Sequence, residues 1–323
     1  MFNDLMFNNI IIYPHLPYRK NDGGINVQYY LGKIIKSYGI NVKMVSIHGI
    51  VNNNIFNDYC SLQDAKILDI DKTLVIYCEG IKGNPLDAKY VVRWMLSELG
   101  KNVPYNYVDS WGKNELVYYF NSELKFNLFP EKKKIIYKNL SCMYIDDKIQ
   151  NFNNERNGKW CHMFRKAVCG NGYHNNLFKT KNHKNIIHPS NSDLYERCDF
   201  DSYINIFNSY KYFISYDPLT FYSFIAALCG CISIVYPVEG MTKLEWLQKS
   251  PILLYLEYNK LDNVYGIAYG IEDIPYAEQT LHLVKAQWED ITKFNIEHTV
   301  EPFLKDMIDF DSNLNTIHEN YYE

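Results

Sequence analysis

The chain has 323 residues, 47% of them hydrophobic and 22% charged, and 33 basic against 37 acidic residues leave a net charge of −4. Such a length fits two domains of roughly 150 residues, and nothing in the balance suggests a nucleic-acid-binding surface, which would need a basic excess or a clustered stripe. No run reaches the ~18–20 apolar residues that span a bilayer, and the first residues, MFNDLMFNN, lack the basic flank and long apolar stretch of a signal peptide.

Asn9 to Tyr13 (NIIIY) is a short β-branched run closed by Pro14, the pattern of a buried parallel strand. The polar loop HLPYRKNDGG leads into INVQYYLGKIIKSYG, where Val27, Tyr30, Leu31, Ile34 and Ile35 keep helical spacing and Gly39 stops the helix. NVKMVSI is the next strand, which completes a β-loop-α-β unit of a doubly wound sheet. KTLVIYCEG reads as another buried strand, and DAKYVVRWMLSELG as a helix capped near Asn84 or Asp87. NYVDSW, ELVYYF and KKKIIYKNLSCMYI supply further strand-like runs.

The polar stretch FNNERNGK, residues 152–159, is expected to separate the two halves. KWCHMFRKAV then restarts with a strand, and residues 170–192 form a loop-rich passage. DFDSYINIFNSYK is an amphipathic helix, KYFISY a strand, TFYSFIAALCG a helix and CISIVYP a strand, a second β-α-β series. After about Ala277 the pattern is helical, with Pro302 as a kink or restart and the last residues fraying. The expected domains are therefore 1–152, 153–290 and a helical region 291–323.

Eight cysteines lie at 60, 78, 142, 161, 169, 198, 229 and 231, and no pair has the C-x-x-C spacing of a thiolate metal site. Buried free thiols of a reducing compartment are the expected state. His183 and His188 sit five apart in a polar loop without a third ligand, the Asp146-Asp147 pair is not a D-x-D, and Lys132-Lys133-Lys134 reads as a solvated run.

The most informative stretch is SYDPLTFYSFIAALCGCISIVYP, from Ser215 to Pro237. A strand ends at Tyr216 and a helix is expected from about Leu219 or Thr220, capped by Asp217 or Thr220. Its amino end would offer unpaired N–H groups and hydroxyls from Thr220 and Ser223 to a phosphate. In an open α/β sheet that loop lies where ligands bind, although a capped core helix between two strands fits the same spacing. The string D-x-x-T-x-Y-S-x-x-A-A-L-C-G-C, followed by an apolar strand, Pro237 and Glu239-Gly240, resembles the donor-binding segment of bacterial and viral GT-B glycosyltransferases. Asp217 falls at the first acid of their E-x7-E pattern, and Ile225 occupies the second, which implies an inverting rather than a retaining reaction. Residues 83–100 and 264–284 are similar to other segments of the same group.

The resemblance implies two Rossmann-like α/β domains facing one another across a cleft, acceptor on the first and nucleotide sugar on the second, with the terminal helices packed back on the first. Arg165 and Lys166, closing the first strand of the second half, would neutralise the donor diphosphate without a metal. Gly23 and Gly24 would let backbone approach the donor phosphates, and Tyr216, Asp217, Thr220, Tyr222, Ser223 and Glu239 complete the donor set. Inverting transfer needs a base for the acceptor hydroxyl. His15, directly after the first strand, and Asp22, before the glycine pair, are the candidates, with Asp109 and Glu79 behind them. No cofactor and no metal are expected. The partners would be a nucleotide-diphosphate sugar and a glycan or glycoconjugate acceptor, not nucleic acid. The location would be cytoplasmic (host cytoplasm for a viral chain), with peripheral membrane contact compatible with the sequence. A nucleotide-sugar epimerase of the same fold and a non-catalytic sugar-binding protein derived from a transferase are the alternatives.

Overall fold

The computed structural model describes residues 6–47, 49–100, 102–121, 136–156, 160–164, 193–194 and 198–319. The chain divides into two compact units, one of Met1–Tyr144 with Thr292–Glu323 and one of Ile145–Ile291. Each is built on an all-parallel sheet.

In unit 1 the strands are β1 (Asn9–Tyr13), β2 (Val42–Ser46), β3 (Tyr59–Ser61), β4 (Thr73–Cys78), β5 (Tyr90–Met95), β6 (Glu115–Tyr119) and β7 (Ile136–Asn139). Their order is β3-β2-β1-β4-β5-β6-β7, so the chain winds outward from β1 in both directions. The near-continuous apolar runs of the sequence follow from this: β4 and β5 are buried at every position, as strands covered on both faces must be. Helix α1 (Gly23–Ser37) joins β1 to β2 and turns Ile25, Val27, Leu31, Ile34 and Ile35 into the core. Its Asp22 accepts a hydrogen bond from Ile25 N at 3.2 Å, which caps the first turn.

Two expected elements are corrected. The run YVVRWM is strand β5, paired with β4 and β6, and not part of a helix. Arg93 in its middle reads as the polar face of a helix, yet it is fully buried, with Nε and Nη2 donating to Glu115 at 2.8 and 3.1 Å. Asn84 does not cap a helix either. Its Oδ1 accepts from Tyr77 Oη at 2.9 Å and Ala88 N at 3.1 Å, which shapes the connection between β4 and β5. The run NYVDSW is a 3-10 segment, Tyr105–Ser110, that starts behind Pro104 and buries only Val108.

Unit 2 carries β8 (Trp160–Met163), β9 (Asp193–Leu194), β10 (Tyr212–Ser215), β11 (Ile232–Val235) and β12 (Ile267–Tyr269) in the order β12-β11-β10-β8-β9. The helix Phe200–Ser209 precedes β10 and the helix Tyr222–Leu228 follows it. Arg156, from the polar stretch 152–159, belongs to unit 2. It donates to the carbonyls of Phe207, Tyr210 and Cys229, at the carboxyl ends of both helices, where a cation is favourable.

The last helices return to unit 1. Val300, Phe303, Leu304, Met307 and Phe310 enter the same core as β1, β4 and β5. A π-helical turn at Ile296–Val300 precedes Pro302. Within it the Thr299 hydroxyl lies 2.6 Å from both Ser141 O and Asn295 O, either of which can take its one proton, and accepts from Ser141 N at 3.1 Å. Among the described residues no helix is long and apolar enough to cross a membrane, and no cysteine is bridged.

Candidate functional site

A doubly wound sheet opens where neighbouring strands lead their connections in opposite directions, at the carboxyl ends of those strands. In unit 1 that point lies between β1 and β4. Tyr13 ends β1, Pro14 stops the ladder, and His15 follows. Cys78 ends β4, and Glu79 and Gly80 come next. His15 Nδ1 lies 3.1 Å from Cys78 Sγ. The imidazole also packs on Gly80 so closely that a Cβ there would stand 2.9 Å from its Cγ.

Glu79 is 5% exposed and faces the end of β5 instead. Its Oε2 accepts from Leu96 N at 2.9 Å and its Oε1 from Ser97 Oγ at 2.6 Å. Burial raises its carboxyl above the ordinary range, and those donors oppose the rise. Burial likewise pushes the Cys78 thiol up, so it remains S–H. A thiol of this kind is no nucleophile. The amino end of α1 stands beside the same edge. A Cβ at Gly24 would meet only Asp22 Oδ1 at 3.6 Å and Leu96 Cδ1 at 4.0 Å, and one at Gly23 would meet nothing. Neither glycine has a positive φ, so neither the backbone nor close packing calls for the pair. What the pair leaves is open backbone at a helix amino end, on the sheet edge that also carries His15.

The connection carrying Glu79 and Gly80 is anchored from behind. Arg93 Nη1 and Nη2 donate to Ile81 O at 3.1 Å and Gly83 O at 2.5 Å, while Gly83 N donates to Ser110 Oγ at 2.8 Å. The guanidinium centre also lies 4.7 Å from the Tyr77 ring and 5.1 Å from the Trp111 ring. A pocket of about 280 Å³ lined by Asn84, Ala88, Lys89, Val91 and Gly112–Glu115 opens at the opposite, amino-terminal edge of the sheet and takes no part in this cluster.

Unit 2 has its own opening between β8 and β10. There the Ser215 hydroxyl donates to Asp217 O at 3.0 Å and accepts from Asp217 N at 3.1 Å, and Thr220 N donates to Asp217 O at 3.2 Å. The helix starts at Tyr222, not at Leu219 or Thr220, and its cap position, Phe221, makes no side-chain cap. Thr220 Oγ1 accepts only a long 3.4 Å bond from Tyr222 N. Trp246 Nε1 donates to Pro218 O at 2.7 Å and covers the turn.

The expected donor residues of this turn are turned inward. Tyr216 is fully buried between the rings of Phe164 and Tyr236, with centroids 4.4 and 4.6 Å away. Tyr222 packs on Tyr203 at 4.7 Å. Asp217, Thr220 and Ser223 are all buried, and among the described residues the Ser223 hydroxyl has no hydrogen-bond partner. Glu239 is exposed in the loop after β11. Arg165 and Lys166 follow β8 and lie outside the described residues, as do His183, His188 and the lysine run at 132–134.

The structure thus brings His15, Asp22, Gly23 and Gly24 to one sheet edge, and adds Cys78, Glu79 and Gly80. Asp109 lies apart, exposed on the 3-10 segment. The role of Cys78 carried no sequence signal, since its partner lies 63 residues away.

No family model matches the chain, and no curated protein matches it. Solved structures do. Sucrose-phosphate synthase from Thermosynechococcus elongatus aligns over 98% of each chain at 9% identity and a TM-score of 0.45. T4 phage BGT in complex with its UDP-glucose substrate covers 96% of this chain and 98% of its own, at 9% identity and 0.47. An alpha-glucosyltransferase in complex with UDP and a 13-mer DNA containing an HMU base covers 93% and 99%, at 12% identity and 0.48. All three alignments run nearly the whole length of both chains at low identity.

Proposed function

We propose that the chain is a glycosyltransferase that uses a nucleotide-diphosphate sugar, with the acceptor on unit 1 and the donor on unit 2. One observation carries the reading: the switch point of unit 1 holds an imidazole, seated on Cys78 and Gly80, at the sheet edge where α1 starts with two open glycines. An imidazole in that place suits removal of a proton from a hydroxyl at neutral pH.

In the proposed step His15 takes the acceptor hydroxyl proton as the oxygen bonds to the anomeric carbon. The bond from that carbon to the diphosphate breaks, and its electron pair leaves with the phosphate oxygen. Arg165 and Lys166 would meet the charge that develops there, without a divalent metal. Ile225, at the position of a second acid, is buried in a helix and offers no carboxylate, which supports inversion. Asp22 ranks behind His15 as base because its carboxylate already accepts from Ile25 N.

A second reading, sugar binding without transfer, is favoured by the burial of Asp217, Thr220 and Ser223. One pair of measurements separates the two. Nucleoside diphosphates and nucleotide sugars at about 100 times Kd are expected to add about 2.7 kcal/mol of apparent stability under either reading. Only a transferase releases nucleoside diphosphate in step with acceptor. His15→Ala is expected to slow that release about 100-fold or more, and EDTA to leave it unchanged. Release that survives His15→Ala intact overturns the assignment of the base.

A further inference from the structure

The thiol of Cys78 is a buried partner of His15, and nothing in the proposed transfer has yet used it. Cys78 is 1% exposed at the end of β4, with Sγ 3.1 Å from Nδ1. Gly80 supplies a second contact of a different kind. A Cβ there would stand 2.9 Å from the imidazole Cγ and 3.1 Å from its Cβ and Cδ2, closer than carbons pack. Gly80 is not among the glycines with positive φ. Its backbone therefore accepts any residue, and it is the ring that requires a glycine.

We infer that Cys78 and Gly80 are positioning residues that seat the His15 imidazole in one orientation and one tautomer, an inference that rests on His15 being the base. With Nδ1–H donated to sulfur, the lone pair sits on Nε2. Once Nε2 has taken the acceptor proton, Nδ1–H still points at the same sulfur, so the ring need not turn during the step. Sulfur accepts weakly and the thiol is neutral. The pair therefore fixes direction without the stabilisation of the imidazolium that a carboxylate would provide.

The experiment compares the wild-type chain with Cys78→Ala, Cys78→Ser and Gly80→Ala, using steady-state transfer and the ¹⁵N chemical shifts of the His15 ring. Cys78→Ala is expected to lower kcat about five- to tenfold, the rate equivalent of one hydrogen bond, with KM for the nucleotide sugar unchanged. Its ring shifts should move away from those of the wild-type tautomer, and Cys78→Ser should restore both. Gly80→Ala should displace the ring and lower kcat further. Ring shifts unchanged in both Cys78→Ala and Gly80→Ala would overturn the inference. Should one variant fail to fold, the other and Cys78→Ser decide it. If the chain transfers no sugar, the ring shifts still report on the seat, so that failure is told apart from this one.

Discussion

Arg93 shows how one residue decides the reading of a whole segment. A charge inside an apolar run ordinarily marks a solvated face, which is why YVVRWM looks like a helix. Its partner, Glu115, starts the neighbouring strand and is too far along the chain for any local pattern to pair them. The pair is buried on both sides, at 0% and 4% side-chain exposure. Arg93→Met would strand the carboxylate and the carbonyls of Ile81 and Gly83, and is expected to cost about 3–5 kcal/mol in urea denaturation. Glu79 permits a second residue-level prediction. Its carboxyl titrates higher in the folded chain than in the unfolded one. Over the interval between the two values the folded state binds more protons, so stability is full below the ordinary carboxylate range and falls as pH rises through the raised value. Glu79→Gln should remove that fall. Its urea midpoint should exceed that of the wild type at about pH 7 and match it near pH 4.

At the scale of elements, the strands NIIIY, TLVIYC, ELVYY, YFIS and ISIV were legible because runs buried on both faces carry their own signature. The turn after β10 was legible as a turn but not in its burial, because Trp246, Phe164 and Tyr236, which cover it, come from three other segments. His15, Asp22 and the glycine pair could be picked out since they sit at the ends of readable elements. Cys78 and Gly80 could not, for their meaning depends on where the imidazole lies. Helix α1 gives a test of the two base candidates. Asp22→Asn keeps an oxygen for Ile25 N and should hold both melting temperature and turnover. Asp22→Ala should lose about 1 kcal/mol of stability with the cap. A collapse of turnover in Asp22→Asn without loss of stability would make Asp22 the base and displace His15.

On the scale of the molecule, the described parts of the two units differ in how chain order maps onto space. Unit 2 is one continuous stretch, whereas unit 1 is closed by the helices after Ile291. Phe303, Leu304 and Met307 are completely enclosed there, and Tyr118 Oη and Lys138 Nζ donate to Asp306 at 2.9 and 2.6 Å. A chain stopped after Ile291 would leave the unit 1 core uncovered. Unit 1 of that chain is expected to lose its cooperative thermal transition and to bind ANS, whereas Thr299→Val in the full chain should cost only about 1–3 kcal/mol, the price of leaving the Ser141 groups unpaired.

This arrangement also sets an order of events during synthesis. Residues 6–144 leave the ribosome first, yet the side chains that seal their core are translated only after all of unit 2. At roughly 5–20 residues per second, the nascent first half waits on the order of ten seconds with part of its apolar surface bare. The last residue of unit 2, Ile291, is itself translated before Phe303, Leu304 and Met307. Unit 2 would then be finished before unit 1, and a chaperone that captures the growing chain should bind the earlier-made half.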